Sequence, residues 1–316
     1  LGISKSNVEY FNKNIKNIEN IIWKLKKIEI YSDNLKNEKI LNFANNNDQL
    51  FSIIKNFKLF DILNKSLSSN KYCKKITFPP KKIDFSSYNL VINTDYSNFL
   101  SKKFFNKKIV KIYNSLAYST IIKHEKIIND TAIQIFTKKG PLAFLPISNN
   151  ETSIVYSIHN SKDQKKHDIN KLIQEYNPKY KLKKIEKSEF LELKSFHLRS
   201  YHNGNILAFG DLLHRLHPLA GQGFNMTIRD VKFLIDIIKE KIELGLPLDS
   251  SVNFEFEKKL RHKNFIFSTS IDFVHEFFNL ERKFKNNLLS KSVQILGNNN
   301  SLNNFFTKVA DRGIIF

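Results

Sequence analysis

The segment richest in chemistry runs from Asn205 to Asp230, NILAFGDLLHRLHPLAGQGFNMTIRD. It opens with a compact apolar run, Asn205–Phe209, that suits a buried strand and leads into Gly210-Asp211. Glycine at that point lets a ligand approach the backbone, and a carboxylate at a strand end can accept hydrogen bonds from sugar-like hydroxyls. A loop follows with His214, His217, Pro218 and Gly221-Gln222-Gly223. Beyond it, Phe224, Ile228, Val231, Ile235, Ile238 and Ile242 fall at helical spacing, and Gly245 and Pro247 end the pattern. A helix start offers unpaired N–H donors and about half a positive charge, so this spot suits an anion or an electron-rich carbonyl.

Other candidate chemistry is thinner. His214 and His217 have a metal-like spacing, but no nearby Cys or Glu completes a ligand set, so no metal is expected and His217 is read as shaping the loop. His275-Glu276 opens like a zinc-protease motif, yet Asn279 stands where the second histidine belongs, and the pair is read as a solvated helix face. Cys73 is the single cysteine, which excludes an intramolecular disulfide framework and is expected to be a buried bystander. No acid, base or nucleophile can be named as catalytic.

Several elements must position the glycine-rich elbow. Val8, Phe11, Ile15 and Ile18 predict a helix within residues 1–20, and Ile28 and Ile30 an alternating strand. Residues 51–69 read as a helix through Ile54, Phe57, Leu59, Ile62, Leu63 and Leu67. Tyr88–Asn93 suits a buried strand. Ser115–Lys123, Ala132–Thr137, Leu142–Ile147 and Ser153–His159, divided by turn residues, predict an antiparallel meander. Asp168–Glu175 predicts a short helix and Leu191–Leu198 a strand. Residues 251–316 read as helical, with Phe254, Phe265, Phe273 and Phe277 as core. The fold class is α/β plus an antiparallel sheet, with a helical tail.

The chain has 316 residues, 41% hydrophobic and 26% charged, enough for two cores. No run of apolar residues is long enough to span a membrane. Lys and Arg number 51 against 30 acidic residues, a net charge of +21. The lysines are spread along the whole chain and no nucleic-acid motif accompanies them, so the charge reads as compositional background with some attraction to an anionic membrane surface. No nucleic-acid partner is expected. The default compartment is cytoplasmic, peripheral at the inner face of the membrane.

The Gly210–Asp230 stretch resembles the second FAD-binding motif of the flavoprotein aromatic hydroxylases, above all the ubiquinone-biosynthesis hydroxylases of the 2-polyprenylphenol hydroxylase type. Their pattern is a strand, GDAAH, HPLAGQGLN and a helix carrying RD. Gly210-Asp211, His214, the run His217 to Gly223, Asn225 and Arg229-Asp230 match it, with Leu212-Leu213 for the small pair and Phe224 for leucine. Thr131-Ala132, Gln134, Phe136, Gly140 to Ala143, Leu145-Pro146 and Val155 to Ser157 are similar to further family stretches, as are Leu90–Asp95, Leu1–Asn7 and, more weakly, Phe305–Gly313. Three departures stand out. Tyr96 replaces the glycine of an Asp-Gly pair, Phe57 replaces an arginine, and the stretch from Ser195 to Gly210 is short. No GxGxxG occurs, and Leu1 aligns after the place where the family carries it. A truncated chain, inactive by itself, is the expectation.

The resemblance implies a p-hydroxybenzoate-hydroxylase-like fold. Residues 1–20, 51–100 and 201–250 would form a discontinuous FAD-binding domain, 21–50 and 101–200 a β-sheet substrate domain, and 251–316 the helical tail. It implies FAD, with NAD(P)H or another external electron donor, O2 and a prenylated phenol. The reduced flavin would form a C4a-hydroperoxide that hydroxylates the ring. Asp211, beside Gly210, would bond the ribityl chain. Pro218 and the backbone to Gly221 would line the flavin, while Gln222, Gly223 and the N–H groups of Phe224 and Asn225 would face it. The alternatives are a flavin-dependent reductase of a lipid, or a non-catalytic subunit of a quinone-synthesis complex.

Overall fold

The computed structural model describes residues 1–35, 38–44, 49–76, 84–159, 168–217, 221–284, 288–297, 308 and 311. Strand β1 (Gly2–Ser4) leads into helix α1 (Lys5–Asn14), then β2 (Ile22–Leu25), β3 (Lys27–Ser32), β4 (Glu38–Ala44), β5 (Phe51–Ile54) and α2 (Asn56–Ser68). Next come β6 (Val91–Asn93), α3 (Phe99–Phe104), β7 (Lys108–His124), β8 (Thr131–Thr137), β9 (Gly140–Pro146) and β10 (Glu151–His159). The chain continues through α4 (Ile169–Glu175), β11 (Leu182–Ile185), β12 (Glu189–Leu198), β13 (His202–Asn203), β14 (Ile206–Ala208) and β15 (His214–Arg215). Helices α5 (Gln222–Glu243), α6 (Ser250–Phe284) and α7 (Leu288–Gly297) follow. The Phe305–Gly313 likeness falls outside the described residues except at 308 and 311.

Two compact units emerge. The first comprises residues 1–59 and 113–193 with the described residues from 273 onward. Its main sheet is built on β10, which pairs antiparallel with both β7 and β9. β8 pairs antiparallel with β9, and β3 runs parallel to β8. Alternation along these strands puts Ile133, Ile135, Phe144, Ile154 and Tyr156 into one core, closed by Ile169, Leu172 and Ile173 of α4. The Asp168 side chain caps that helix by accepting from the Lys171 N–H. A small antiparallel sheet, β1-β5-β2, stands in the same unit and buries Leu25 and Ile53 with Ala132.

The second unit comprises residues 60–112 and 194–272. Here β14 pairs in parallel with β6, joining Ile206 to Val91 and Ala208 to Asn93. The apolar strand Ile206–Ala208 is buried with Phe209, Leu212, Leu213, Leu234, Ile237, Val252 and Phe256. This core is what holds the end of β14 against α5. These compact units cut the chain at other places than the functional partition expected from the sequence, which compactness does not test.

Several expectations are corrected. Residues 51–54 form a strand, because Ile53 and Ile54 are claimed by pairing with β1 and β2. The helix begins only at Asn56, and its Phe57, Phe60 and Leu67 are exposed, leaving Leu59 as its buried residue. β8, β9 and β10 are a meander, but β7 docks beyond β10 instead of against β8. Helix α1 stops at Asn14, so Ile15 is exposed while Ile18 is buried outside the helix. In α6 the buried hydrophobic residues described are Val252, Phe256, Leu260 and Phe267, whereas Phe254, Phe265 and Phe273 are exposed. His275 is buried edge-on against the Tyr113 ring at 5.0 Å, not solvated. Cys73 is exposed.

Candidate functional site

The parallel pairing of β14 with β6 brings both C-terminal ends to one side, and Phe209 N–H reaches Asn93 O at 2.9 Å. The chain then turns sharply. Gly210 takes φ +59°, a conformation L side chains rarely adopt, and Leu213 N–H closes the turn on Gly210 O at 2.9 Å. Leu212 and Leu213 are buried completely, so the turn presents Asp211 to solvent. Its carboxylate has no side-chain partner among the described residues. A carboxylate free at a strand end is available to a ligand's hydroxyls.

Asp95, the other family-matched acid, is differently placed. One of its oxygens accepts from both the N–H and the hydroxyl of Ser97, each at 2.7 Å. Those bonds hold its carboxyl below the usual carboxylate range. Asp95 is thus engaged in its own turn, and Tyr96 beside it is exposed.

Helix α5 starts at Gln222 from Gly221, whose φ of +61° makes a left-handed entry, and no side chain caps it. Its first N–H groups therefore look outward for an acceptor. A Cβ added at Gly223 would meet nothing within 4 Å among the described residues, so the first turn borders open space there. Gln222 is buried, yet its Oε1 has no hydrogen-bond partner among the described residues. Asn225 is fully buried and its Nδ2 donates to Gly221 O at 3.1 Å, tying the entry to the helix. Phe224 is half-buried. Pro218, with Leu219 and Ala220, lies outside the described residues. A buried acceptor without a donor, an uncapped helix start and an open glycine fit a planar ligand that carries N–H and carbonyl groups, as the FAD ring does.

Behind this surface lies a polar cluster that sequence reasoning missed. His214 Nε2 donates to Asp230 Oδ2 at 2.6 Å, with both side chains 1% exposed. Asn264 of α6 donates to Asp230 Oδ1 at 3.1 Å. The guanidinium of Arg229 lies 4.5 Å over the Phe267 ring. His217 is buried. Among the described residues no cluster of three or more His, Cys, Asp or Glu could hold a metal ion. The signal for the pair lay in the sequence as a histidine after the turn and an acid on the helix, but nothing local ties them together.

A family model described as an FAD binding domain matches residues 105–243. The ubiquinone biosynthesis monooxygenase COQ6 of Dictyostelium discoideum is 26% identical over 218 residues, 57% of this chain and 44% of that protein. The 3-demethoxyubiquinol 3-hydroxylase of Escherichia coli is 29% identical over 156 residues, 47% of this chain and 40% of that protein. The chain thus matches under half the length of each. Klebsiella pneumoniae HpxO, solved with FAD and uric acid, superposes with a TM-score of 0.72 at 10% identity, over 98% of this chain and 87% of that one. That likeness speaks to the fold alone, which is the expected p-hydroxybenzoate-hydroxylase-like one. Residues 105–243 thus match an FAD binding domain, and the chain is similar to ubiquinone-biosynthesis monooxygenases.

Proposed function

We propose that this chain supplies the flavin-ring side of an FAD-dependent monooxygenase that hydroxylates the ring of a polyprenylated phenol. The observation that carries the reading is the start of α5, where the left-handed Gly221, the open Gly223 and the partnerless Oε1 of Gln222 adjoin. When bound, FAD would supply the electron transfer and oxygen activation that no side chain here provides. The chain's own residues bind and orient it. Asp211 would accept from ribityl hydroxyls, and Gln222 Oε1 would accept from a ring N–H. The first N–H groups of α5, at Gly223, Phe224 and Asn225, would hold a ring carbonyl, and the helix dipole favours negative charge there by about 1 kcal/mol.

The substrate class follows from the ubiquinone-biosynthesis relatives, and NAD(P)H or another external donor and O2 complete the reaction. A peripheral place on an anionic membrane surface would suit a prenylated substrate and the net charge of +21. No helix among the described residues is long and apolar enough to cross a membrane.

The test is to express the complete reading frame that contains this chain and to look for bound flavin by absorbance. Oxygen-dependent hydroxylation of a prenylated phenol is then assayed. Bound FAD with oxygen incorporated into the ring is expected. A colourless protein, or one that reduces an alkene without consuming oxygen, would overturn the proposal.

A further inference from the structure

The buried bond between His214 and Asp230 joins the two halves of the candidate cofactor site. His214 is the third residue after Asp211 and the first of β15. Asp230 lies eight residues into α5 from Gln222, about 12 Å along the axis. The 2.6 Å hydrogen bond between them therefore links the segment bearing Asp211 to the helix whose start bears Gln222 and Gly223. Asp230 is fixed in turn, because its other oxygen accepts from Asn264. The neighbours of His214 in the chain, Leu212 and Leu213, are already wholly buried, so apolar cohesion is in place without a polar pair. Apolar contacts tolerate sliding, whereas a hydrogen bond between one nitrogen and one oxygen fixes a length and a direction. A buried ionisable pair is also a poor choice for stability alone, since well-packed apolar groups of similar volume commonly do as well or better.

We propose that His214 and Asp230 are positioning residues that set the distance between the Asp211 turn and the start of α5, and so fix where the flavin sits. The inference rests on the flavin reading given above. Neither side chain touches the cofactor; the pair acts through the backbone segments it joins. Sites of this kind need their parts held to within about 0.5 Å, so loosening the pair shows in cofactor affinity and redox properties before it shows in the fold.

The experiment uses the complete flavoprotein and three variants: His214→Leu, His214→Gln, and the double variant His214→Leu with Asp230→Leu. FAD affinity is measured by flavin fluorescence on the apo protein, the flavin midpoint potential by dye equilibration, and apo Tm by calorimetry. His214→Leu leaves Asp230 without its histidine and should lower apo Tm. The double variant removes both groups and should recover apo Tm, yet still bind FAD about tenfold or more weakly, with a shifted midpoint. His214→Gln, which keeps a side-chain donor, should restore most of the affinity. If the double variant binds FAD with wild-type affinity and an unchanged midpoint, the pair is merely structural and the proposal fails. If His214→Leu does not fold, the glutamine and double variants decide it by the same criteria. A wild-type protein that takes up no FAD overturns both this inference and the flavin reading.

Discussion

His197 stands directly across from His214 in the antiparallel pairing of β12 with β15. Both are buried, and neither ring nitrogen of His197 finds a hydrogen-bond partner among the described residues. Its ring instead meets Phe265 at 6.3 Å between centroids and 80° between planes. Burial pushes the His197 pKa down from 6.5 to about 4, and the neighbouring His214 adds to the shift by repulsion. The unfolded chain therefore binds more protons than the folded one between those values. The stability tied to a neutral His197 is present above pH 6.5 and is lost as pH falls toward 4. At the acid end the loss amounts to at most about 3 kcal/mol. His197→Leu keeps the volume and removes the proton site, so its denaturation midpoint should vary less over this range. An unchanged acid slope in that variant would show that some other group governs it.

Gly223 gives a prediction with opposite signs in two assays. Its φ is ordinary for a helix and a Cβ there meets nothing, so Gly223→Ala should stabilise the apo protein by about 0.4–1 kcal/mol through the unfolded state. The added methyl would occupy the space assigned to the flavin. FAD binding, followed by fluorescence quenching, should weaken while apo Tm rises. A variant that gains stability and binds FAD as well as wild type would place the ring elsewhere.

The local parts of the site were legible in the sequence because each carries its own short-range signal. The run NILAF, the glycines and the periodic helix predicted β14, the turn at Gly210 and α5 to within a residue. The turn residues likewise marked β8, β9 and β10. Partnership was not legible, because pairing is settled between segments far apart in sequence. Ile54 and Phe57 stand at helical spacing, yet Ile54 belongs to a strand claimed by β2. The phenylalanines of α6 form a stripe, but which face is buried depends on the neighbour, and Phe256 and Phe267 won over Phe254 and Phe265. For the same reason His214 gave no hint that its partner is Asp230.

Gly140 is constrained by both conformation and space. It has φ +139°, and a Cβ there would collide with the carbonyl oxygen of Ser157. Thr137 Oγ1 donates to the Gly140 carbonyl at 2.7 Å and stands 2.9 Å from the Tyr156 hydroxyl, so the β8–β9 turn is locked to β10. Gly140→Ala must shift one strand or the other and should cost more than about 3 kcal/mol, at the severe end for a single substitution. Urea denaturation would measure it. A loss below about 1 kcal/mol would mean that the turn relaxes without moving β10.

Asp211 should separate binding from stability most cleanly. Its side chain is exposed and unpartnered, while the turn around it is held by Gly210, Leu212 and Leu213. Replacing it therefore removes no contact from the fold, and Asp211→Ala should change apo stability by no more than about 0.5 kcal/mol. A hydrogen bond from a ribityl hydroxyl to a carboxylate is worth about 1.5–3 kcal/mol, so the same variant should bind FAD roughly tenfold or more weakly. Asp211→Asn retains an acceptor oxygen without the charge and should fall between. Titration of the apo variants with FAD orders the three proteins, and equal affinity across them would remove Asp211 from the cofactor site.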